Sequence, residues 1–347
     1  MSQTFAGIPQ PRPIVRLDTE SGVAKHVSTP TVVCVGTFDG VHLGHQMIVR
    51  RGRALADERG WPLWVLTFHP HPKTVVQPAR APLLLTDPEE RVALFSAYGA
   101  DGAVILHFDA ATARTGAQEF AESMLGGQMQ AGAVVVGEDF AFGRAREGTA
   151  QFLAEWGQRT ARKVEIVPLV KNGDDEAIRS SVIRNCLSHG DFGRAIRLMG
   201  HPYLFTGRVV KGDGRGKELG YPTWNLAPSE VKLSPEAGVY IGWTWRPRPM
   251  PAMAYYGSNP TFGEHPSRLE VHVLDGEEED RTPQGPVEGI WLTEFVRPEK
   301  RFGGADELVR QMVDDEQVAR LKLNLKPTIQ TTTTHLKTER RKPASAG

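Results

Sequence analysis

The sequence predicts two architectures in one chain: a Rossmann-like α/β domain, then an antiparallel β-barrel followed by a C-terminal helix. Three observations predict it. Up to residue 170, short continuous apolar runs alternate with amphipathic stretches, the pattern of parallel strands covered by helices on both faces. After residue 200, apolar runs follow one another through turn-rich segments with no helix between them, as in a compact barrel. At 347 residues, the chain is long enough for roughly two domains, each burying its own core.

The first set of strands is expected at 31–35, 63–68, 103–108, 131–136 and 164–170, with helices at 45–58, 87–98, 115–125 and 148–160. The second helix carries a start signal, with Thr86 as cap, Pro88 in the first turn and Glu89 three residues after the cap. Residues 183–199 read as a helical connection. Barrel strands are expected at 203–210, 238–245, 252–256, 268–274 and 288–296. The spacing of Leu308, Met312 and Val318 predicts a last helix over 304–322. The domains then span 14–186 and 201–323, joined by a linker at 187–200. Residues 324–347 contain four consecutive threonines with Lys, Arg and Pro, and read as a disordered tail.

Charge and cysteine usage narrow the function. Basic and acidic residues balance at 41 each, so no global field draws the chain to nucleic acid or to an anionic membrane. Affinity for phosphate must come from local geometry. The two cysteines, Cys34 and Cys186, exclude a disulfide framework and suit a reducing cytosol. No apolar run approaches the ~18 residues of a membrane span, and no apolar core follows Arg12 and Arg16 as in a signal peptide. A cytoplasmic protein is expected, without nucleic-acid or membrane partners, monomeric or weakly homo-oligomeric.

The strand at 31–35 runs directly into Gly36-Thr37-Phe38-Asp39-Gly40-Val41-His42-Leu43-Gly44-His45, and a helix follows. Ligands of parallel sheets bind at the carboxyl ends of strands, beside helix N-termini whose free N–H groups favour phosphate. Gly36, Gly40 and Gly44 let the backbone turn and approach a ligand. His42 and His45 are three residues apart and can share one side of the first helical turn. Two imidazoles there can donate hydrogen bonds to a phosphate as charge builds on it. The alternative is a surface turn with incidental histidines.

This run resembles the nucleotidyltransferase signature of the prokaryotic bifunctional riboflavin kinase/FMN adenylyltransferases, the FAD synthetases. Phe68-His69-Pro70-His71-Pro72, Val136-Gly137-Glu138-Asp139-Phe140-Ala141-Phe142-Gly143 and Arg179-Ser180-Ser181-Val182-Ile183-Arg184 resemble three further segments in the family's order. The resemblance runs over residues 14–322. It implies ATP as co-substrate, FMN and FAD as substrate and product, and Mg²⁺. It implies that His42, His45 and Arg184 are catalytic, and that Gly36, Phe38, Gly44, Asp139, Ser180 and Ser181 bind ATP. Phe68, Pro70, Phe140 and Phe142 would contact the flavin. Ser180, Ser181 and Arg184 offer two hydroxyls and a forked cation for the β- and γ-phosphates. Asp139 can accept from a nucleotide amine or hydroxyl. The phenylalanines can pack on flat rings or equally into the core. Arg179 stands where the family usually has its first serine, and Ser181 replaces its threonine.

The second constellation is Gly212-Asp213-Gly214-Arg215-Gly216-Lys217-Glu218-Leu219-Gly220-Tyr221-Pro222-Thr223-Trp224-Asn225, between two strands. Its glycines allow successive N–H groups to form an anion nest, although taken alone the segment reads better as a flexible hairpin. It lacks the Gly-Lys-[Ser/Thr] ending of a P-loop. The segment resembles the kinase half of the same family. The resemblance implies that Gly212, Gly214, Gly216 and Lys217 bind ATP phosphates and that Thr223 and Asn225 hold magnesium through hard oxygens. Ser258-Asn259-Pro260-Thr261-Phe262-Gly263 and Arg297-Pro298-Glu299-Lys300-Arg301-Phe302 match two more family segments. Glu270 falls on the family's catalytic glutamate, the acceptor of the riboflavin 5′-hydroxyl proton. Strand alternation alone favours reading Glu270 as an exposed strand residue sharing a face with Arg268 and His272.

Three features depart from the family pattern: Lys217 for arginine, Trp224 where a small residue is common, and an acidic, proline-containing stretch at 276–289 without a tyrosine. The expected function is riboflavin phosphorylation to FMN, then adenylylation of FMN to FAD with release of pyrophosphate. The alternative is a paralogue in which only the adenylyltransferase is active, or one that acts on a modified flavin.

Overall fold

A computed structural model describes residues 14–18, 23, 26–27, 30–212, 214–245, 248–257 and 267–325. The 258–263 motif segment, Asp213 and residues 326–347 of the expected tail lie outside the described residues.

The first half is a six-stranded parallel sheet in the order β1-β4-β3-β2-β5-β8, made of β1 (Val15–Asp18), β2 (Thr31–Val35), β3 (Leu63–His69), β4 (Gly102–His107), β5 (Ala131–Gly137) and β8 (Lys163–Val167). Strand β2 is buried throughout, as a doubly covered strand must be. Val32 and Cys34 face one apolar cluster and Val33 and Val35 the other, the period-2 alternation of a strand between two helical layers. Helix α1 (Leu43–Arg59) packs on the first face. A Cβ on Gly52 would stand 2.8 Å from Leu63 and against the Cys34 sulfur, so only glycine lets α1 approach β2 this closely. The other face is covered by α4 (Ala117–Glu119) with its π-helical continuation Phe120–Gln128, and by α5 (Ala150–Arg159).

Sequence reasoning missed several elements. The edge strand β1 is short, α2 (Pro72–Val76) is one turn, and β6 (Ala141–Phe142) and β7 (Gly148–Thr149) form a two-residue ladder. The start of α3 (Pro88–Ala97) is also corrected. The cap is Asp87 rather than Thr86, and Glu90 rather than Glu89 completes the capping box. The hydroxyl of Thr86 is engaged with Gly40 and Asp39 instead.

The expected single connection at 183–199 is two helices, α6 (Ser180–Ser188) and α7 (Phe192–Met199). They break at Gly190 (φ +73°), and Asp191 caps the second by accepting from Arg194 N. Both pack into the core of the barrel, where Phe192 meets Tyr240 edge to face.

The second half is a closed antiparallel barrel, β10-β13-β12-β11-β14-β9, built from β9 (Tyr203–Val210), β10 (Trp224–Ala227), β11 (Gly238–Thr244), β12 (Pro251–Gly257), β13 (Arg268–Val273) and β14 (Val287–Pro298). Its interior holds Tyr203, Phe205, Leu226, Leu269, Val271 and Ile290. One helical turn, α8 (Arg215–Glu218), interrupts the expected all-strand order inside the glycine-rich loop. Helix α9 (Ala305–Lys322) lies on the outer wall. Ala319 packs with Ile241 and Met253, and Asp315 makes a two-pronged ion pair with Arg297.

Candidate active sites

Strand order reverses beside β2: the chain proceeds to β3 and β4 on one side, then returns to β5 and β8 on the other. Open α/β sheets hold their ligands at such switch points, outside the carboxyl ends of the strands. A cavity of about 760 Å³ lies there, lined by Val35 and Gly36 at the end of β2, Phe68 near the end of β3, Gly137 and Asp139 at the end of β5, and Val167 of β8. Of the thirteen residues assigned by sequence to this half, eleven line it: Gly36, His42, Gly44, His45, Phe68, Asp139, Phe140, Phe142, Ser180, Ser181 and Arg184. The other two do not. Phe38 is fully buried and absent from the lining, its ring edge-on to His45 and Phe95. Pro70, after a cis peptide, is absent from the lining.

The rings of His42 and His45 stack with centroids 3.6 Å apart and planes at 19°. Burial pushes the His42 pKa down to about 3, opposed by Asp39 and assisted by His201 and Arg184. Burial and then the neighbouring His42 hold His45 well below the usual range. Both are therefore neutral near pH 7, each with one donor and one acceptor nitrogen. The Nδ1 atoms of both are buried without a protein partner.

The loop that carries them is held at nearly every polar group. Thr37 O accepts from Thr67 Oγ1 and Arg91 Nη1, Asp39 O from Ser180 Oγ, Gly40 O faces His201 Nε2, and Val41 O accepts from Gln46 Nε2. The buried Asp39 carboxylate accepts from Leu85 N at 3.1 Å, Thr86 N at 3.0 Å and the Arg184 guanidinium. Gly40 has φ +83°, and a Cβ on it would stand 2.7 Å from Leu85. Such pre-set donors need no reorganisation when charge develops. Sequence reasoning missed Asp39, Thr86 and Arg91 as parts of this site. Ser180 and Arg184 are thus fixed to the loop as well as facing the cavity, and Asp139 is paired with Arg179 at 2.8 Å.

One wall is aromatic. Phe140 stacks on Phe142, Phe142 and Phe68 both meet Phe120, and Phe68 meets Phe108 edge to face. All five line the cavity, although only three were legible in the sequence. The lining carries five cations, Lys73, Arg114, Arg146, Arg179 and Arg184, against one carboxylate, Asp139. A flat apolar ring and several phosphates suit such a wall and rim.

In the barrel, Asn225 of β10 pairs in register with Glu270 of β13, and Glu270 with Tyr255 of β12. Leu269 and Val271 point inward, so Asn225 and Glu270 share the outer face. The glycine-rich loop covers them: a Cβ on Gly212 would collide with the Asn225 amide, and one on Gly216 would stand 3.4 Å from Thr223 Oγ1. Thr223 and Asn225 thus lie under that loop, with Glu270 as the in-register neighbour of Asn225, and Arg268 Nη1 donates to Asn225 Oδ1 at 3.3 Å. The expected nest of successive free amides is replaced by the α8 turn. Lys217 N donates to Gly214 O, Gly220 N to Lys217 O and Tyr221 N to Gly216 O. Gly214 supplies the φ of +76°, and Lys217 is exposed. His272 on the same face meets Tyr221 and, through Nδ1, Pro222 O.

Two departures from the family pattern prove to be one contact. The buried Trp224 donates Nε1–H to Arg281 O at 2.8 Å, so the indole pins the 276–289 stretch to the barrel.

Residues 24–182 match the FAD synthetase family, and residues 199–323 match the riboflavin kinase family. The bifunctional riboflavin kinase/FMN adenylyltransferase of Listeria monocytogenes is 32% identical over 292 residues, covering 83% of this chain and 91% of its own. The chain belongs to this bifunctional family. The Escherichia coli K12 member is 32% identical over 295 residues with the same coverage, and the Bacillus subtilis member 31% over 301 residues. A solved structure described as a macrolide-efflux protein from Streptococcus pneumoniae shares the fold at TM-score 0.74 and 31% identity, covering 88% of this chain and 99% of that one. Among the described residues, no helix is long and apolar enough to cross a membrane.

Proposed function

We propose that FMN adenylylation takes place in the cavity at the β2/β5 switch point and riboflavin phosphorylation on the outer barrel wall at Glu270. The two activities are those of the family, riboflavin kinase and FMN adenylyltransferase. The single observation carrying the placement of the first is convergence. His42, His45, Ser180, Ser181, Arg184 and five phenylalanines come from segments far apart in sequence and line one cavity.

In the cavity, an FMN phosphate oxygen attacks the α-phosphorus of ATP, and the bond to pyrophosphate breaks. The neutral His42 and His45 donate to the α-phosphate oxygens as charge grows on them. Ser180, Ser181 and Arg184 hold the β- and γ-phosphates and accompany pyrophosphate as it leaves. The phenylalanine wall takes the isoalloxazine ring.

On the barrel, the riboflavin 5′-oxygen attacks the γ-phosphorus, the bond to ADP breaks, and Glu270 accepts the hydroxyl proton. Thr223 and Asn225 supply the oxygen donors that Mg²⁺ prefers, and the ion would neutralise charge on the transferring phosphoryl group. Gly212, Gly214, Gly216 and Lys217 contact the ATP phosphates in this reading. Domain limits of 14–186 and 201–323 with a linker between them accord with this division of work. Cys34 and Cys186, both free and buried, support a reducing compartment.

A second reading concerns the flavin alone. The 276–289 stretch, pinned by Trp224, supports a barrel that accepts a modified flavin or phosphorylates poorly. Separate assays decide: riboflavin with ATP and Mg²⁺ for FMN, and FMN with ATP and Mg²⁺ for FAD. FMN formation from riboflavin supports the bifunctional reading, and its absence with FAD still made from supplied FMN supports the second.

A further inference from the structure

Lys232 belongs to the barrel half, yet its ammonium is enclosed at the junction with the α/β half. Its three N–H donors meet Leu85 O at 2.9 Å, Leu204 O at 2.8 Å and Glu90 Oε2. The Nζ also lies 4.6 Å from the centroid of the Tyr203 ring. Glu90 is equally saturated: Oε1 accepts from Thr206 N and Oγ1, both at 2.9 Å, and Oε2 also accepts from Asp87 N. Leu84 is bound to the same barrel segment, donating to Val231 O and accepting from Leu233 N, each at 2.7 Å.

The opposite side of this 84–91 segment grips the loop that carries His42 and His45. Leu85 N and Thr86 N hold the Asp39 carboxylate, Thr86 Oγ1 accepts from Gly40 N at 2.8 Å, and Arg91 Nη1 donates to Thr37 O at 2.9 Å. The peptide unit of Leu85 and Thr86 therefore has Lys232 on its carbonyl and Asp39 on its amide. Asp39 in turn fixes Arg184. A displacement of Leu85 is passed to Asp39, Gly40 and Arg184 together.

We propose that Lys232, a residue of the kinase half, is a positioning residue for FMN adenylylation, acting through Leu85, Glu90 and Asp39. The proposal rests on adenylyl transfer taking place at the 36–45 loop. Misplacing a catalytic group by about 1 Å can cost on the order of 10²-fold in rate, so a modest shift of this strap has a measurable effect on chemistry. The barrel wall at Glu270 uses none of these bonds.

The experiment uses the full chain and two variants. Lys232→Met removes the ammonium. Lys232→Met combined with Glu90→Gln also avoids an uncompensated buried carboxylate. FAD formation from FMN and FMN formation from riboflavin are measured separately, with His42→Ala as the control for the site itself. The expected result is at least a tenfold fall in kcat for adenylylation, KM for ATP within twofold, and kinase activity within twofold, in the double variant as in the single. Adenylylation within twofold of wild type in both variants, while His42→Ala is slowed by about 10²-fold or more, would overturn the proposal and leave the site assignment standing. FAD synthesis at close to the wild-type rate in His42→Ala would instead remove the site assignment, and the proposal with it. Equal loss of both activities, or failure of the double variant to fold, would assign Lys232 to barrel stability and overturn the proposal.

Discussion

His42 and His45 stack ring on ring at 3.6 Å, and each keeps a buried Nδ1 that no protein group satisfies. Two neutral imidazoles can stack so closely, whereas two imidazolium ions would repel. Each can donate one hydrogen bond to a phosphate oxygen at little reorganisation cost, because the loop beneath is already fixed. Replacing either by alanine should lower kcat for FAD formation by about 10²–10³-fold, the scale for one pre-set donor. Riboflavin phosphorylation should stay within twofold. Steady-state assays of the two half-reactions check this.

The same burial sets the pH dependence. His42 has its pKa depressed to about 3 when folded, mainly by desolvation. The unfolded chain has an ordinary histidine near 6.5, so between these values it binds a proton that the folded chain does not. Folding stability is therefore full above about pH 6.5 and falls as pH drops, by about 1.4 kcal/mol per pH unit for this residue. His45, His69, His71, His201 and His272 are depressed in the same direction, each by burial first. Denaturant midpoints should accordingly drop on going from pH 7.5 to 5.5. The adenylylation kcat should show no ionisation near 6.5 in that range, since neither catalytic imidazole titrates there. An acid limb centred at 6.5 would mean that one of them is protonated during turnover.

Asp39 is the centre of the loop's restraint, although the sequence shows it only as a letter in a motif. Its carboxylate is nearly inaccessible and carries Arg184 and two backbone amides. Asp39→Ala should cost about 3–5 kcal/mol in stability, as expected for breaking a buried pair, and should abolish FAD formation. Gly40→Ala should act on the same loop, because it needs φ +83° and space occupied by Leu85. Chemical denaturation and the adenylylation assay measure both.

Trp224 offers a test in the barrel. Trp224→Phe keeps an aromatic ring in the core but removes the donor to Arg281 O. It should lower barrel stability by about 1 kcal/mol and speed hydrogen exchange across 276–289. If that stretch borders the riboflavin site, KM for riboflavin changes while adenylylation does not.

What was legible in the sequence was local. The strand, glycine loop and helix around His42 are consecutive, so their order alone gives the site's position. The buried strands were legible because Val32 to Val35 have no polar face to show. What was not legible depends on partners distant in the chain. Asp39 meets Leu85 and Arg184, 46 and 145 residues away. Glu90 meets Lys232, 142 residues away. Phe108 and Phe120 join the aromatic wall only because β4 ends and the π-helical segment begins beside it. Thr86 has the side chain of a helix cap, but Gly40 and Asp39 claim its hydroxyl and Asp87 takes the cap. The glycine-rich loop allowed a nest on composition, yet the amides of Gly220 and Tyr221 bond within the loop and tighten it into a helical turn.

One time course tests the two-site account most directly. Purified full-length protein is incubated with riboflavin, ATP and Mg²⁺, and the flavins are separated at intervals for wild type, His42→Ala and Glu270→Ala. The account predicts FMN then FAD in wild type, FMN alone in His42→Ala, and unchanged riboflavin in Glu270→Ala, which still makes FAD when FMN is supplied. Accumulation of FAD in His42→Ala, or loss of FAD synthesis from supplied FMN in Glu270→Ala, would contradict it.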